Sequence, residues 1–468
     1  MFIDRKFELD AFEKRFKSSK PELVPIYGRR RVGKTELIKQ FSGDKKSLYL
    51  LATLTSEKDM LEEFSARIAD FFKDEVLKAN PFRNWDGLFT YLAQKTKEER
   101  IVVTFDEFPY LVRINEALPS ILQKYWDEHF SATKIFLILC GSSIGMMERE
   151  VLAYKAPLYG RRTGQLLLGP LDFGASSKFF PNYRLEEKIT AYAILGGVPA
   201  YLLEFTDKKS IEGNVRDRVL GRDKFLYNEI QFLLREELRE PANYFSILRA
   251  LSLGKTALNE VVQATGLERG TVARFLSILI DLKIVERKVP VTERHPHKSR
   301  KGVYKIADNF FNFWFRFICP NRDRLEMGRE EDVLRGKIVP ALDQFVSSGF
   351  EEVCRQTLWK LNDERALPFV FEKVGSWWEK GKEIDLMALN ERTKQALFAE
   401  CKWSKKQVDL GDVKHLERTA ENVDWYQKGR DEHFAVFSKS GFRKGCLDYC
   451  KANGVLTFDL TQMGKIWG

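Results

Sequence analysis

The sequence lacks the features of membrane-inserted, exported and disulfide-stabilised proteins. No apolar run approaches the roughly 18 residues that a membrane span requires. The N-terminal segment, MFIDRKFELDAF, is charged and amphipathic and has no apolar signal-peptide core. Six cysteines in 468 residues do not form a disulfide framework, and none lies in a CxxC pair. These absences predict a cytoplasmic chain with reduced thiols and no membrane partner.

Basic charge, in contrast, is in excess, with a net charge of +10. This balance favours an anionic partner such as nucleic acid or a membrane surface. A chain of this length ordinarily divides into two to four domains, because a single hydrophobic core stops growing well before this size. The sequence contains no repeat of fixed period and no low-complexity tract.

The N-terminal part alternates apolar strands with helices. Four strands are predicted, over residues 23–28, 47–54, 101–112 and 134–143. Apolar strands separated by helices predict an α/β fold with a parallel sheet covered on both faces. Ligands of such sheets bind beyond the carboxyl ends of the strands, where Gly28, Asp106 and Ser142 are expected.

The segment GRRRVGKT, residues 28–35, fits the P-loop pattern G-x-x-x-x-G-K-[ST] and lies between a predicted strand and a predicted helix. Its glycines let successive backbone N–H groups face phosphate oxygens, and the following helix adds its positive end. Lys34 is expected to reach the β- and γ-phosphates of ATP, and Thr35 to ligate Mg²⁺. The predicted nucleotide-contacting residues are Gly28, Arg29, Arg30, Arg31, Val32, Gly33, Lys34, Thr35, Glu36 and Ser142. The three arginine side chains are expected to be solvated or paired with acids, without a catalytic role.

FDEF, residues 105–108, is typical of a Walker B motif, which would assign Mg²⁺ binding to Asp106 and general-base catalysis to Glu107. Ser142 and Ser143 follow the next strand and are candidates for sensing the γ-phosphate. Arg161 and Arg162 are candidates for meeting transition-state charge, either in their own subunit or in a neighbouring one. A surface basic pair is the alternative interpretation of these arginines.

Residues 1 to about 235 resemble the archaeal-type ATPases of the AAA+/STAND group. The matching segments are FIDRKFEL, YGRRRVGKTELI, the DEF of the Walker B motif, CGSS, LYGRRTG and LGGVPAYL. The resemblance implies that the opening segment lies near the adenine. It also implies that Gly196, Gly197 and Pro199 lie in a helical lid facing the nucleotide, whereas a simple helix break is the alternative. Many relatives have glycine where this chain has Asp4.

Residues 244–289, followed by the strand segments IVERKVPV and GVYKIAD, have the order of a winged helix-turn-helix. The predicted second and third helices span Leu258–Thr265 and Gly270–Leu282. The predicted wing, residues 287–305, is basic and suits contacts to DNA phosphates. Its basic residues are Arg287, Lys288, Arg294, Lys298, Arg300 and Lys301, and the exposed face of the third helix offers Arg269, Thr271 and Arg274. Docking of a protein is the alternative role, and His295 and His297 are expected to be solvated.

The C-terminal part contains a predicted helix, residues 349–361, and two apolar strands, EIDLMALN and QALFAECKW. Asp385 and Glu400 are expected to bind one divalent cation, with Glu351 as a further ligand. Lys402 lies two residues after Glu400 and therefore on the same strand face, where it can activate a water or offset phosphate charge. This arrangement resembles the PD-(D/E)xK restriction-endonuclease-like fold, which is typical of the same ATPases. The alternative is a binding module that has kept the fold only.

The sequence thus predicts five regions. They are an ATPase core (1–171), a helical lid (172–240), a winged helix-turn-helix (241–308), connecting helices (309–348) and a nuclease-like α/β domain (349–468). The first hypothesis is an ATP-hydrolysing, DNA-acting protein, in which the C-terminal domain cuts or clamps duplex DNA with Mg²⁺ or Mn²⁺. The second is a nucleotide-dependent signalling switch whose last two domains dock partners without cleavage. An arginine that acts on a neighbouring subunit would require a homo-oligomer.

Overall fold

Short apolar segments near the N-terminus form a parallel sheet in the computed structural model, which describes residues 2–238 and 240–468. The strands are β1 (Glu22–Tyr27), β2 (Ser47–Leu51), β3 (Val102–Asp106), β4 (Phe136–Gly141) and β5 (Leu166–Leu167). They lie in the order β2-β3-β4-β1-β5, and every pairing is parallel. All residues of β1, β3 and β4 are buried, as expected of a sheet covered on both faces. The predicted P-loop type of sheet is confirmed.

Helices cover this sheet on both sides. They are α1 (Lys6–Lys17), α2 (Lys34–Ser42), α3 (Glu57–Phe72), α4 (Glu75–Ala79), α5 (Trp85–Glu98), α6 (Phe108–Ile114), α7 (Leu118–Glu128) and α8 (Ile144–Met147). Side chains alternate between the two faces along β1. Val24 and Ile26 pack with Phe41 of α2 in one apolar cluster, whereas Leu23 and Tyr27 belong to the cluster on the other face.

The third strand is shorter than predicted. β3 ends at Asp106, and the second half of the predicted strand, residues 107–112, belongs to the turn and to α6. Glu107 adopts φ 53° and ψ 42°, which turns the chain out of the sheet. Pro109 then lies in the first turn of α6, where its fixed φ is compatible with a helix. A pattern of apolar residues alone does not reveal this turn, because α6 is also largely apolar.

The rest of the chain forms a second set of helices and strands. Its helices are α9 (Phe173–Ser177), α10 (Leu185–Leu195), α11 (Pro199–Leu202), α12 (Ile211–Val215), α13 (Phe225–Glu237), α14 (Pro241–Ser252), α15 (Leu258–Thr265), α16 (Arg269–Asp281), α17 (Asn309–Phe313), α18 (Arg322–Glu326), α19 (Glu330–Val333), α20 (Val339–Asp363), α21 (Leu410–Ala420), α22 (Lys444–Ala452) and α23 (Leu460–Trp467). Its strands are β6 (Val285–Lys288), β7 (Val303–Ile306), β8 (Lys373–Glu379), β9 (Lys382–Asn390), β10 (Gln395–Lys402), β11 (Asp431–Ser438) and β12 (Leu456–Asp459).

The winged helix-turn-helix consists of α14, α15 and α16 followed by the hairpin of β6 and β7. The predicted second helix has the bounds of α15, and the predicted third helix differs from α16 by one residue at each end. β6 and β7 pair antiparallel, with Glu286 opposite Lys305 and Lys288 opposite Val303. The predicted winged helix is therefore confirmed.

The C-terminal sheet is mixed and has the order β12-β11-β10-β9-β8. β8, β9 and β10 pair antiparallel, whereas β10, β11 and β12 pair parallel. The predicted helix over residues 349–361 is the second half of α20, which is 25 residues long and begins at Val339. The boundary expected at residue 349 therefore falls within one continuous helix.

Side-chain packing joins the predicted lid to the C-terminal sheet. Tyr192 and Ala193 of α10 belong to the same apolar cluster as Phe350 of α20 and Phe437 of β11. A Cβ atom added to Gly349 would lie 2.5 Å from the Cβ of Ala193, so the two helices touch where Gly349 has no side chain. The lid and the C-terminal domain therefore share a core.

The chain accordingly divides into two compact units. One comprises the chain up to Pro170 together with Val198–Ala200, and the other comprises Leu171–Gly197 and Tyr201–Gly468. The finer boundaries within the second unit stay predictions. Among the described residues, no helix is long and apolar enough to cross a membrane.

Because α10 and α20 are in close contact at Gly349, we predict that the Gly349→Ala substitution destabilises the protein. The added methyl group would overlap Ala193, and we expect the free energy of unfolding to fall by about 1–3 kcal/mol. Gly445→Ala is the matched control, because Gly445 also lies in a helix but has no atom within 4 Å of an added Cβ. Chemical denaturation followed by circular dichroism measures both variants. Equal stability of the two variants would contradict the shared core.

Candidate functional site

The phosphate-binding loop begins where β1 ends, and its first glycine is required by packing. Gly28 has φ +154°, and a Cβ atom there would lie 2.2 Å from the carbonyl oxygen of Leu168, which follows β5. Gly33 has φ +94° and begins α2 without a side-chain cap. The backbone N–H groups at the start of α2 are thus available to an anion.

Lys34 is buried within the loop. Its Nζ donates to the carbonyl oxygens of Gly28 at 2.8 Å and Arg29 at 3.0 Å. Burial lowers the pKa of Lys34, although the carboxylates of Glu107 and Asp106 act in the opposite direction. The ammonium group is therefore held where the loop curls, next to the carboxylates expected to act with it.

Asp106 at the end of β3 contacts the predicted magnesium ligand. Its Oδ2 accepts a hydrogen bond from Thr35 Oγ1 at 3.1 Å and another from the hydroxyl of Tyr49, on β2. Burial, together with the hydrogen bond to Asp106, raises the pKa of Tyr49 far above its ordinary value, so the phenol keeps its proton. Sequence analysis missed Tyr49, because its position beside Asp106 depends on the pairing of β2 with β3.

Glu107 and Ser142 are brought together across the ends of β3 and β4. Ser142 Oγ lies 2.8 Å from both carboxylate oxygens of Glu107, to which it donates. The left-handed backbone of Glu107 is rarely adopted by a non-glycine residue, and it directs this side chain toward β4. Buried Cys140, at the end of β4, is a further neighbour that the sequence did not indicate; burial raises the pKa of its thiol well above the ordinary value.

Arg5, in the N-terminal segment, is hydrogen-bonded to the phosphate-binding loop and to the segment after β5. Its buried guanidinium group donates to the carbonyl oxygens of Val32 at 3.1 Å and Gly169 at 2.6 Å, and it pairs with Glu8 at 3.2 Å. Asp4 has φ 64°, a value that glycine adopts most readily and aspartate tolerates. The hydrogen bonds of Arg5 assign it a positioning role that the sequence does not indicate.

The Gly-Gly-x-Pro segment is a tight corner. Gly196 has φ +64°, and a Cβ atom on Gly197 would lie 1.8 Å from the carbonyl oxygen of Leu171. Pro199 belongs to the first unit, where its Cγ lies 3.8 Å from the position of a Cβ atom on Gly33. The segment is thus more than a helix break, because its proline lies beside the phosphate-binding loop.

Arg30 and Glu36, two other predicted nucleotide-contacting residues, have side-chain partners within the chain. Arg30 donates to the hydroxyl of Tyr110 at 2.8 Å. Glu36 is exposed and pairs with Lys39 at 3.2 Å, so only its backbone can contact a nucleotide. Ser143 precedes α8 and makes no side-chain cap.

Arg161 and Arg162 have different surroundings: the Arg162 charge acts to lower the pKa of Tyr27, the last residue of β1, although burial raises it more. Arg161 makes a bidentate pair with Asp127 at 3.0 and 3.2 Å. The backbone N–H of Thr163 donates to the carbonyl oxygen of Leu23, near the start of β1. Gly28 follows the opposite end of that strand, about 15 Å away at the rise of a β-strand. A role of these arginines toward the nucleotide, in their own subunit or in a neighbouring one, stays a prediction.

The C-terminal carboxylates lie on neighbouring strands. β9 and β10 pair Leu386 with Ala399, and one step further along this register places Asp385 opposite Glu400. Asp385 Oδ2 accepts a hydrogen bond from the backbone N–H of Cys401 at 2.7 Å. Lys402 Nζ lies 2.5 Å from Glu400 Oε1, on the same strand face. The structure therefore brings the three predicted residues together.

Charge is poorly balanced at this site. Burial raises the pKa of Asp385 to about 8, and the charges of Glu400 and Glu351 act in the same direction. Burial also raises the pKa of Glu351. The hydrogen bond and charge of Glu400 raise the pKa of Lys402 and outweigh the effect of burial. Among the described residues, however, no three His, Cys, Asp or Glu side chains are grouped as a metal site. Asp385 and Glu400 form a facing pair, and Glu351 as a further ligand stays a prediction.

Much of the positive charge of the predicted wing is engaged within the chain. Arg287 donates to the carbonyl oxygens of Pro296 at 2.9 Å and Ser299 at 2.5 Å. Lys301 pairs with Glu293 and with Glu379 of β8, each at 3.3 Å. His295, His297, Arg294, Lys298 and Arg300 are exposed. On α16, Arg269 donates to Asn259 at 2.9 Å and Arg274 lies over the ring of Phe275.

Comparison with known proteins agrees with this geometry. Residues 2–205 match the profile of an ATPase domain found predominantly in Archaea. Residues 242–288 match an IclR helix-turn-helix domain, and residues 314–422 match a family described as archaeal and bacterial proteins of unknown function. The fold and the loop thus define a P-loop ATPase. An uncharacterized protein of Methanocaldococcus jannaschii is 37% identical over 451 residues, which cover 94% of this chain and 96% of that protein. The chain belongs to the same family as this archaeal protein.

Two solved structures are similar to part of this chain. A Walker-type ATPase of Pyrococcus abyssi is 22% identical with a TM-score of 0.48, over 67% of this chain and 96% of that chain. The ORC2 protein of Aeropyrum pernix is 13% identical with a TM-score of 0.41, over 71% of this chain and 94% of that chain.

The raised pKa of Asp385 predicts that stability depends on pH. The folded state keeps this proton up to about pH 8, whereas the unfolded chain loses it near pH 4. The folded state therefore binds more protons between these values, and stability falls as pH rises through them. Asp385→Asn removes this dependence. In EDTA we expect the variant to gain stability relative to the wild type between pH 5 and pH 8.5, by on the order of 1–3 kcal/mol.

Denaturant unfolding of both proteins at the two pH values measures this difference. Asp431→Asn is the control, because Asp431 is an exposed aspartate on β11 of the same sheet. A wild type and an Asp385→Asn variant with parallel pH profiles would contradict the assignment.

Proposed function

We propose that the chain couples ATP hydrolysis to action on duplex DNA, and that its C-terminal domain is a PD-(D/E)xK-type nuclease. The observation that carries the nuclease part is the placement of Asp385, Glu400 and Lys402 on facing positions of β9 and β10. The helix-turn-helix supplies the expected contact with DNA. The regions 1–171, 172–240, 241–308, 309–348 and 349–468 are proposed as functional divisions only, since the lid and the C-terminal domain share a core.

The nucleotide site has the groups that phosphoryl transfer to water requires. The ammonium group of Lys34 can neutralise charge on the β- and γ-phosphates of ATP. The backbone N–H groups at the start of α2 can donate hydrogen bonds to the phosphate oxygens. Thr35 Oγ1 and Asp106 Oδ2, 3.1 Å apart, are oxygen ligands of the kind that Mg²⁺ prefers. Bound there, Mg²⁺ would neutralise charge on the phosphate oxygens.

Glu107 is the group that can accept a proton from the attacking water. Its carboxylate is held at the sheet edge by the hydroxyl of Ser142, at 2.8 Å from both oxygens. Ser142 therefore acts as a positioning residue for the base, in addition to its proposed contact with the γ-phosphate. This arrangement favours hydrolysis as the outcome of nucleotide binding.

Lys34→Ala and Glu107→Gln test the nucleotide site. We expect Lys34→Ala to abolish ATP binding, because the phosphates lose their buried counter-charge. Glu107→Gln should keep binding but reduce the turnover number by about 10²–10⁴-fold, the contribution of a general base. Equilibrium binding of a fluorescent ATP analogue and phosphate release measure the two effects. Lys39→Ala, an exposed lysine on the same helix, is the control, and hydrolysis by Lys34→Ala at the wild-type rate would overturn the proposal.

In the C-terminal domain, the proposed reaction is hydrolysis of a phosphodiester bond. A water attacks phosphorus, the P–O bond to the leaving oxygen breaks, and that oxygen receives a proton. Lys402 can orient the water or offset charge on the phosphate from its place beside Glu400. Asp385 and Glu400 would hold a divalent cation, because two carboxylates that repel each other suit a hard cation with oxygen ligands. Bound Mg²⁺ or Mn²⁺ would supply Lewis-acid polarisation of a phosphate oxygen.

Plasmid cleavage tests the C-terminal site. Wild-type protein with Mg²⁺ or Mn²⁺ should nick or linearise the plasmid, whereas Asp385→Ala and Lys402→Ala should lose at least 10²-fold in rate. Lys406→Ala, an exposed lysine just after β10, should cleave like the wild type. The reaction is run with and without ATP. Equal cleavage by the wild type and both site variants would show that the activity has another source.

One observation favours a signalling switch as the second candidate. Asp385 already accepts a hydrogen bond from Cys401, and no three ligands are grouped as a metal site among the described residues. In this case the last two domains dock partners and no bond is cut. Nucleotide-dependent DNA or protein binding without plasmid cleavage would support the switch.

The proposal of a homo-oligomer rests only on Arg161 and Arg162, as candidates for acting on the nucleotide of a neighbouring copy. An arginine that acts on the nucleotide of a neighbouring copy would require such an oligomer.

A further inference from the structure

The wing is fixed to the edge of the C-terminal sheet. The backbone N–H of Val291 donates to the carbonyl oxygen of Ser376, on β8, at 3.0 Å. The Val291 side chain is partly buried against the cluster that contains Trp377, and Lys301 pairs with Glu379 at 3.3 Å. An unpaired edge strand exposes its backbone groups, and the wing covers part of this edge. The wing and the C-terminal sheet are therefore one assembly.

This attachment lies next to the acidic site. β8 has a bulge at Ser376, because Gly375 pairs with Met387 and Trp377 pairs with Ile384. Ser376 is therefore opposite Asp385 and Leu386. Two interstrand spacings separate the wing from the backbone of Asp385, or about 10 Å.

The hairpin presents a charged face toward the same region. Cross-strand partners, and residues two apart on one strand, share a face, so Glu286, Lys288 and Lys305 lie together. We call these three residues the hairpin face. Lys288 Nζ lies 3.0 Å from Glu286 Oε1, and its side chain is 36% exposed. Lys305 is half-buried on the neighbouring strand.

Charges on the hairpin face act on α20. Lys305 and Lys288 lower the pKa of Glu351, although burial raises it more, and Lys288 also acts to lower the pKa of Glu352. Glu286 acts to raise the pKa of Arg355. The hairpin face therefore lies within electrostatic reach of Glu351 on α20.

We propose that the hairpin face and the C-terminal acidic site form one DNA-binding surface, in which Lys288 and Lys305 bind the sugar–phosphate backbone beside the bond presented to Asp385, Glu400 and Lys402. Two lysines next to a cluster of carboxylates can hold a polyanion that the carboxylates alone would repel. Lys288 and Lys305 are assigned to this surface because their charges act on Glu351, which in turn acts on Asp385. Lys288 also lies three residues before Val291, where the wing is bonded to β8. This inference rests on the proposed function, since it assigns DNA to the same site.

Binding of a fluorescent DNA duplex in EDTA tests the proposal without requiring cleavage. We expect Lys288→Ala/Lys305→Ala to weaken binding at least tenfold. The slope of log affinity against log salt should fall by about 2, because two phosphate contacts are lost. Lys288→Arg/Lys305→Arg should retain most of the affinity, which separates loss of charge from misfolding. Lys208→Ala, an exposed lysine between α11 and α12, is the control for net charge.

Plasmid cleavage by the wild type, measured in parallel, distinguishes the two proposals. Binding that is lost only in the double alanine variant supports the shared surface, even if the wild type does not cleave. Wild-type cleavage with unchanged binding by the double alanine variant overturns the shared surface and leaves the nuclease proposal intact. A wild type that does not bind DNA overturns both.

Discussion

The burial of β1 between β4 and β5 is the constraint on which the nucleotide site depends. Every residue of β1 is buried, and the strand is paired on both edges, so the point at which it ends is fixed. At that point Gly28 passes so close to Leu168 that no side chain fits. The loop must therefore turn there, and α2 begins with open N–H groups. The same parallel pairing brings Asp106 and Ser142 to this edge of the sheet.

A second constraint organises the rest of the chain. α10 and α20 touch at Ala193 and Gly349, and their apolar side chains enter the core beneath the C-terminal sheet. α20 also carries Glu351. The corner at Gly196 and Gly197 ends α10, and Val198–Ala200 then belong with the ATPase unit. Only a few residues therefore separate α10, which packs on α20, from Pro199, which lies beside the phosphate-binding loop.

The acidic site of the C-terminal domain has an excess of partly buried acidic side chains, which its sequence motif does not reveal. The charges of Glu400 and Glu351 act with burial to raise the pKa of Asp385, and the charge of Lys402 offsets only part of this effect. Bound cations or neighbouring positively charged side chains stabilise the ionised carboxylates of such a site. Lysines of the hairpin face are the groups that the tertiary structure supplies. The wing is bound to β8, the strand next to the one that carries Asp385.

The sequence by itself determined the elements whose signal is local. A glycine-rich loop between an apolar strand and an amphipathic helix predicts Lys34 and Thr35, and a strand ending in Asp-Glu predicts Asp106 and Glu107. The alternation of side chains along a strand was enough to place Glu400 and Lys402 on one face. Only the tertiary structure decided which distant residues join them. Tyr49, Arg5 and Cys140 lie at the nucleotide edge because of strand order and chain path. Strand pairing, and the close packing that Gly349 permits, connect residues far apart in the chain, and no local pattern records those contacts.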